Sequence, residues 1–158
     1  MRKCAVIIMV LFVGLCFAGY ALASEKASKD EVIAKCKAAA DMIKKGKDAA
    51  IAEIAKKDGK FVWKDTYVFL VDLKGKALAH PIKPALTKRD TLLGVPDKNT
   101  AKPKMIFVEF DKVAKSDKGQ GWVDYMWPKK GEDKPSKKNT FIYKVPGEDM
   151  YVGAGIYE

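Results

Sequence analysis

Apolar residues return every three or four positions between Ser28 and Ile54: Val32, Ile33, Cys36, Ala39, Ala40 and Ile43, then Ala49, Ala50, Ile51 and Ile54. That period predicts an amphipathic helix, with Lys35, Lys37, Asp41 and Lys44 on its polar side. Ser28-Lys29-Asp30-Glu31 places a hydroxyl and a carboxylate three residues apart, the spacing of a capping box, so the helix is expected to start there. Gly46 is expected to stop or bend it, and Asp58-Gly59 to end the second stretch. Cys36 falls within the apolar stripe, where it reads as a small buried hydrophobe rather than a reactive thiol.

From Phe61 the texture changes to aromatic and β-branched residues. Tyr67-Val68-Phe69-Leu70-Val71 is too short and too apolar for a surface helix and predicts a strand. Asp72 to Lys76 reads as a turn, and Ala77 to His80 as the returning arm of a hairpin. Residues 81 to 103 carry four prolines and few apolar runs, which predicts a long irregular excursion of the kind that often carries function. Lys104 to Lys115 fits either a strand or a helix, the helix slightly better. Trp122 to Trp127 predicts a strand, Pro128 to Asn139 a lysine- and proline-rich loop, and Thr140 to Val145 a strand joined to Met150 to Tyr157 through the turn Pro146-Gly147-Glu148-Asp149. The fold class is therefore α+β: an antiparallel sheet of about five strands, a long N-terminal helix packed on one face, and the long loop covering the other. A pocket between a curved sheet and its covering loop is a common home for a small ligand.

The N-terminus changes which part of the chain has to fold. Met1-Arg2-Lys3 is a short positive end, Cys4 to Phe17 is an apolar stretch, and Ala21-Leu22-Ala23 is a small-x-small cleavage pattern. We expect residues 1–23 to be a signal peptide, the mature chain of residues 24–158 to begin near Ser24, and the protein to be periplasmic or secreted, with no stable membrane span after cleavage. The competing reading is a retained anchor, against which the apolar stretch falls short of the roughly 18 to 20 residues a spanning helix needs. Leu15 before Cys16 does not fit a lipid-anchor signal, which wants a small residue there.

Removing 23 residues from 158 leaves 135, enough for one domain with a core. Cys4 and Cys16 leave with the leader, so Cys36 has no internal disulfide partner. With His80 as the one histidine and no cysteine pair, no metal or other cofactor is expected. Loss of Arg2 and Lys3 takes the formal charge from +10 to +8. Export removes nucleic acid as the partner for that charge, and lysines spread along the chain read as a solvated surface.

Five ordered pieces then carry a resemblance: Ala49-Ala50-Ile51 with Phe61; Tyr67 to Asp72; Leu78-Ala79-His80-Pro81; Gly121-Trp122-Val123-Asp124-Tyr125-Met126-Trp127-Pro128; and Val145-Pro146-Gly147 leading to Val152-Gly153-Ala154-Gly155-Ile156-Tyr157. From about Asp30 to the end, the chain resembles the single Cache domain, the extracytoplasmic sensor module of bacterial chemoreceptors and histidine kinases. The resemblance implies a PAS-like sheet and a pocket for a small organic anion such as acetate, propionate, pyruvate or lactate. Such domains usually lie between two transmembrane helices. Here Glu158 follows directly on the last strand, so a freestanding protein is expected, one that signals in chemotaxis or related transduction through a separate membrane receptor or histidine kinase.

Strand alternation and the resemblance together nominate the ligand-binding residues. Tyr67, Phe69 and Val71 share one face, as do Val123, Tyr125 and Trp127; phenol hydroxyls suit a carboxylate and rings its short tail. Phe69 fits the core better than the pocket, while Tyr125 and Trp127 fit both. His80 stands where hairpin meets covering loop, as a pocket residue or a structural one. Arg89, the lone arginine of the mature chain, offers a planar fork matched to a carboxylate or is a loop surface charge; Lys144 is the competing cation. Catalysis is not expected, because His80 has no recognisable nucleophile motif beside it. The alternative to a ligand sensor is a lysine-rich protein that binds an acidic partner or envelope surface, which salt would weaken far more than a buried carboxylate contact.

Overall fold

The computed structural model describes residues 25–158, so the leader and its cleavage point near Ser24 lie outside the described residues. Helix α1 (Lys29–Lys45) starts where the capping box requires: Glu31 N–H donates to Ser28 Oγ at 3.2 Å, and Ser28 N–H donates to Glu31 Oε2 at 2.8 Å. Asp30 and Glu31 in its first turn and Lys44 and Lys45 in its last complement the helix dipole. Gly46 separates it from α2 (Lys47–Ala55). Of the stripe read from the sequence, Val32, Cys36, Ala39, Ala40 and Ile43 in α1 and Ala50 and Ile54 in α2 are buried, Ile33 and Ile51 are half-buried, and Ala49 is exposed.

A two-stranded hairpin, β1 (Val62–Trp63) and β2 (Thr66–Tyr67), precedes the main sheet, whose strands are β3 (Phe69–Asp72), β4 (Ala77–Ala79), β5 (Gln120–Pro128), β6 (Pro135–Lys144) and β7 (Met150–Tyr157). All pairings are antiparallel and the order is β4-β3-β7-β6-β5. The α+β fold with five strands and a long helix on one face is the one expected. The strand expected over Tyr67 to Val71 is divided: Val68 N–H donates to Phe61 O, tying β2 to its small hairpin, and the chain joins the main sheet only at Phe69.

The other departure lies between β5 and β6. Pro128 to Asn139 was expected as loop, yet β5 runs through Pro128 and β6 begins at Pro135 opposite it. Lys137 and Lys138 hid the strand, because they take opposite places on it: Lys137 pairs with Glu158 at the surface, and Lys138 turns into the protein.

Across the helix-side face, α1 and α2 pack on Val68, Leu70, Ala79, Phe141, Val152 and Ala154. The opposite face is covered by helix α3 (Ile106–Ala114) and the segment between β4 and α3, which contains a short 3₁₀ turn, Pro84–Lys88. Asp97 fastens that segment to the edge of β5. Its carboxylate accepts from the backbone of Asn99 and Lys104 and from Met126 N–H, and Lys98 N–H donates to Met126 O. One acid thus satisfies the backbone of a long irregular stretch and holds it down over the sheet.

Candidate functional site

Between the sheet and its cover lies a small cavity walled by Tyr67, Phe69, His80, Tyr125 and Trp127 from the sheet side and by Ile106, Phe107 and Phe110 of α3. Five of the seven nominated residues therefore meet around one space. The rings interlock: Phe110 stands edge-on to Tyr125 at 5.3 Å and to Phe107 at 5.4 Å, Phe69 lies 5.8 Å from Phe110, and Tyr125 meets Trp127 at 6.1 Å. The free volume is about 10 Å³, room for about one water.

His80 leaves β4 at its end and packs its ring on Tyr67 and Phe69. Lys83 N–H donates to its Nδ1 at 2.9 Å, so a neutral ring carries its proton on Nε2. Burial, aided by the charges of Lys138 and Lys83, pushes its pKa down to about 3. At neutral pH His80 is thus a hydrogen-bond donor without charge, a poor general base and no electrostatic anchor. Burial also raises the phenols, Tyr67 to about 12 and Tyr125 well above its ordinary value, so both keep their protons. Tyr125 Oη shares a hydrogen bond with Thr140 Oγ1 at 3.0 Å.

A buried cation that the sequence reading missed, Lys138, stands behind the cavity wall: it does not itself line the space but lies against the ring of Tyr67, which does. It is fully buried on β6, its Nζ 4.2 Å from the Tyr67 ring centre and 4.6 Å from that of Tyr157. Its Nζ has no hydrogen-bond partner and no ion pair among the described residues. Burial lowers its pKa to about 7, opposed by the nearby charge of Asp65 and reinforced by Lys83.

Gly155, across the strand pair from Thr140, leaves the room that the lysine stem occupies: a Cβ there would come within 2.7 Å of Lys138 Cε and collide with Thr140 Oγ1. Gly153 does the same for the Phe69 ring. The alternating signal was present in the sequence, since Lys138, Thr140 and Ile142 continue one face of β6 backwards.

Arg89 and Lys144 do not reach the cavity. Arg89 is exposed on the covering segment, where its carbonyl accepts from Lys76 Nζ. Lys144 lies six residues from Lys138, about 20 Å along the strand, beside a surface groove formed with Ser116, Gly119 and Gly147. Lys83 is a second cation at the pocket's edge, its Nζ 5.0 Å over the Trp127 ring. Among the described residues no group of acidic, histidine and cysteine side chains forms a metal site, and no helix is long and apolar enough to cross a membrane.

A PAS-like sheet with helices on one face and a covered aromatic pocket on the other defines a small-ligand binding domain. The chain belongs to the Cache domain family, whose model matches residues 27–158. It is 30% identical over 93 residues to the methyl-accepting chemotaxis protein McpP of Pseudomonas putida, a match covering 59% of this chain and 16% of that receptor's length. Its fold is similar to that of a periplasmic sensor domain of a chemotaxis protein, at 26% identity and a TM-score of 0.62 over 79% of this chain and 86% of that one. Two further solved structures share the fold at a TM-score of 0.66. One is a Cache chemosensory domain that recognises carboxylic acids, at 22% identity over 81% of this chain and 91% of that chain. The other is a methyl-accepting chemotaxis protein from Vibrio parahaemolyticus, at 23% identity over 82% of this chain and 87% of that chain.

Proposed function

We propose that this Cache domain binds a short monocarboxylate, of the acetate, propionate, pyruvate or lactate class, outside the cytoplasm, after export by residues 1–23. The bound state is then read by a membrane receptor or histidine kinase. The observation that carries the ligand class is Lys138: a fully buried amine with no partner, set among phenols and a neutral histidine donor. A buried charge is costly unless paired, and a carboxylate would supply the missing partner while accepting from His80 Nε2–H and a phenol.

The aromatic walls fit a short apolar tail, and with Lys138 behind them as the one buried amine among the described residues they offer a dicarboxylate no second buried cation. An anion of this size needs more than the present 10 Å³, so entry requires the ring walls to part or the cover formed by α3 and the preceding segment to lift. A structural neighbour of this fold recognises carboxylic acids; that likeness carries the fold alone, and the pocket residues carry the ligand class. Binding rather than catalysis suits His80, whose Nδ1 is occupied and whose basicity is suppressed.

Calorimetric titration of acetate, propionate, pyruvate and lactate into the purified protein and its Lys138→Met variant tests this. Loss of a charge-assisted contact is expected to weaken binding by roughly ten- to a hundredfold. A folded Lys138→Met protein that binds like the wild type would overturn the proposal.

A further inference from the structure

We propose that the pocket takes up one proton with each monocarboxylate it binds, because the amine that would face the anion is buried between two tyrosine rings and shares no ion pair. This rests on the reading of the pocket given above and adds the charge state of its ligand-free form. The surroundings of Lys138 can be taken element by element. Tyr67 from β2 and Tyr157 from β7 present ring faces, and Tyr157 spends its hydroxyl proton on Pro128 O. Tyr125 from β5 is bonded to Thr140. His80, after β4, is neutral, and α3 contributes only Ile106, Phe107 and Phe110 to the cavity wall. From the covering segment Lys83 adds a like charge, and the Asp97 carboxylate is committed to backbone donors. Asp65, before β2, is the one acid that favours the protonated amine, and its Oδ1 already accepts from Ala27 N–H.

The balance of these groups is one acid at a distance and two π faces against complete desolvation and a neighbouring lysine. The amine accordingly loses its proton near pH 7. A carboxylate placed beside it reverses that balance. The undissociated acid, or the anion with a proton from solvent, then becomes an ammonium–carboxylate pair: the proton forms a new N–H bond on Nζ, and no net charge enters the pocket. Proton uptake and anion binding are reciprocal. Affinity is therefore level at pH values where the free amine is already protonated and falls by roughly tenfold per pH unit above that range. A permanent guanidinium in the same place would show no such slope.

Two measurements on the purified protein test this with sodium propionate as the probe. The first is an NMR titration of Lys138 Cε and Nζ without ligand, assigned by through-bond correlation, which is expected to show a midpoint near neutrality. The second is calorimetry in buffers of different ionisation enthalpy, expected to give close to one proton taken up per propionate at about pH 8.5 and close to none at about pH 6. A midpoint in the ordinary lysine range, or propionate bound at the higher pH without proton uptake, overturns this inference and leaves anion binding standing. Failure of propionate and the other short monocarboxylates to bind at either pH overturns the coupling and the reading of the pocket together.

Discussion

The two faces of the one sheet solve opposite problems. The helix side is filled by small and aliphatic side chains, Val32, Ala39, Ala40, Ile43, Val152 and Ala154 among them, with Cys36 buried and held as a thiol by desolvation. The cover side adds to aliphatics such as Leu92, Ile106 and Ile142 a concentration of six-membered rings, an indole, an imidazole and an amine. Aliphatic groups interdigitate and stay dry. On the ring-rich face the phenols of Tyr125 and Tyr157 are satisfied, while the buried Lys138 amine is left without an acceptor. The first face is packed for stability, and the second carries a buried amine whose desolvation is unrelieved within the protein.

The largest effect that would break this division is on the helix side. Ile43→Ala removes a buried side chain from α1 against the sheet, and deletions of that kind cost about 2–5 kcal/mol. Chemical denaturation is expected to show that loss, while the affinity for propionate of the protein that remains folded stays within a factor of about two. A large affinity change from so distant a side chain would mean that the faces are coupled.

Lys138→Met is expected to act in the opposite sense. The folded protein gives up the Lys138 proton near pH 7, whereas a solvated lysine keeps it to 10.5. Between those limits the unfolded chain holds more protons, so the wild type gains stability with rising pH, at up to about 1.4 kcal/mol per pH unit. Methionine removes that titration. The variant is therefore expected to exceed the wild type in stability most below pH 7, and the difference should shrink as the pH rises. Urea melts of both proteins across that range decide it, and parallel pH profiles would show that the lysine is not paying a desolvation cost.

How much of this was legible in the sequence follows the same division. A helix stripe, its capping box and the alternation that gathers Tyr67 and Phe69 with Tyr125 and Trp127 are periodic signals, and the structure places them as the period requires. Lys138 was not legible by polarity, because a strand beginning at Pro135 with Lys137, Lys138 and Asn139 reads as solvated loop. Its burial depends on a long-range partner: Gly155, which provides the space for its stem. Arg89 drew attention by rarity among so many lysines, and rarity says nothing of position. The covering segment turns it outward.

The smallest expected effect sharpens the contrast between the buried cation and the exposed ones. Arg89→Ala removes an exposed side chain; the residue's carbonyl accepts from Lys76 Nζ and its N–H donates to Leu86 O, and both backbone groups survive the substitution. Lys144→Ala trims a half-buried stem at the far end of β6, where the backbone bond from Lys144 N–H to Gly119 O also survives. Substitutions of this kind usually fall within about 0.5 kcal/mol. Long-range attraction of an anion toward either charge is screened within about 10 Å at ordinary salt. Both variants are therefore expected to bind propionate within a factor of two of the wild type at about 0.15 M salt, and to show at most a small loss in low salt, where the general positive field assists encounter. Calorimetry of the two variants beside Lys138→Met makes the comparison direct. A tenfold loss in Arg89→Ala would mean that the covering segment folds inward when the ligand is bound, bringing the guanidinium to the carboxylate and adding a second cation to the pocket.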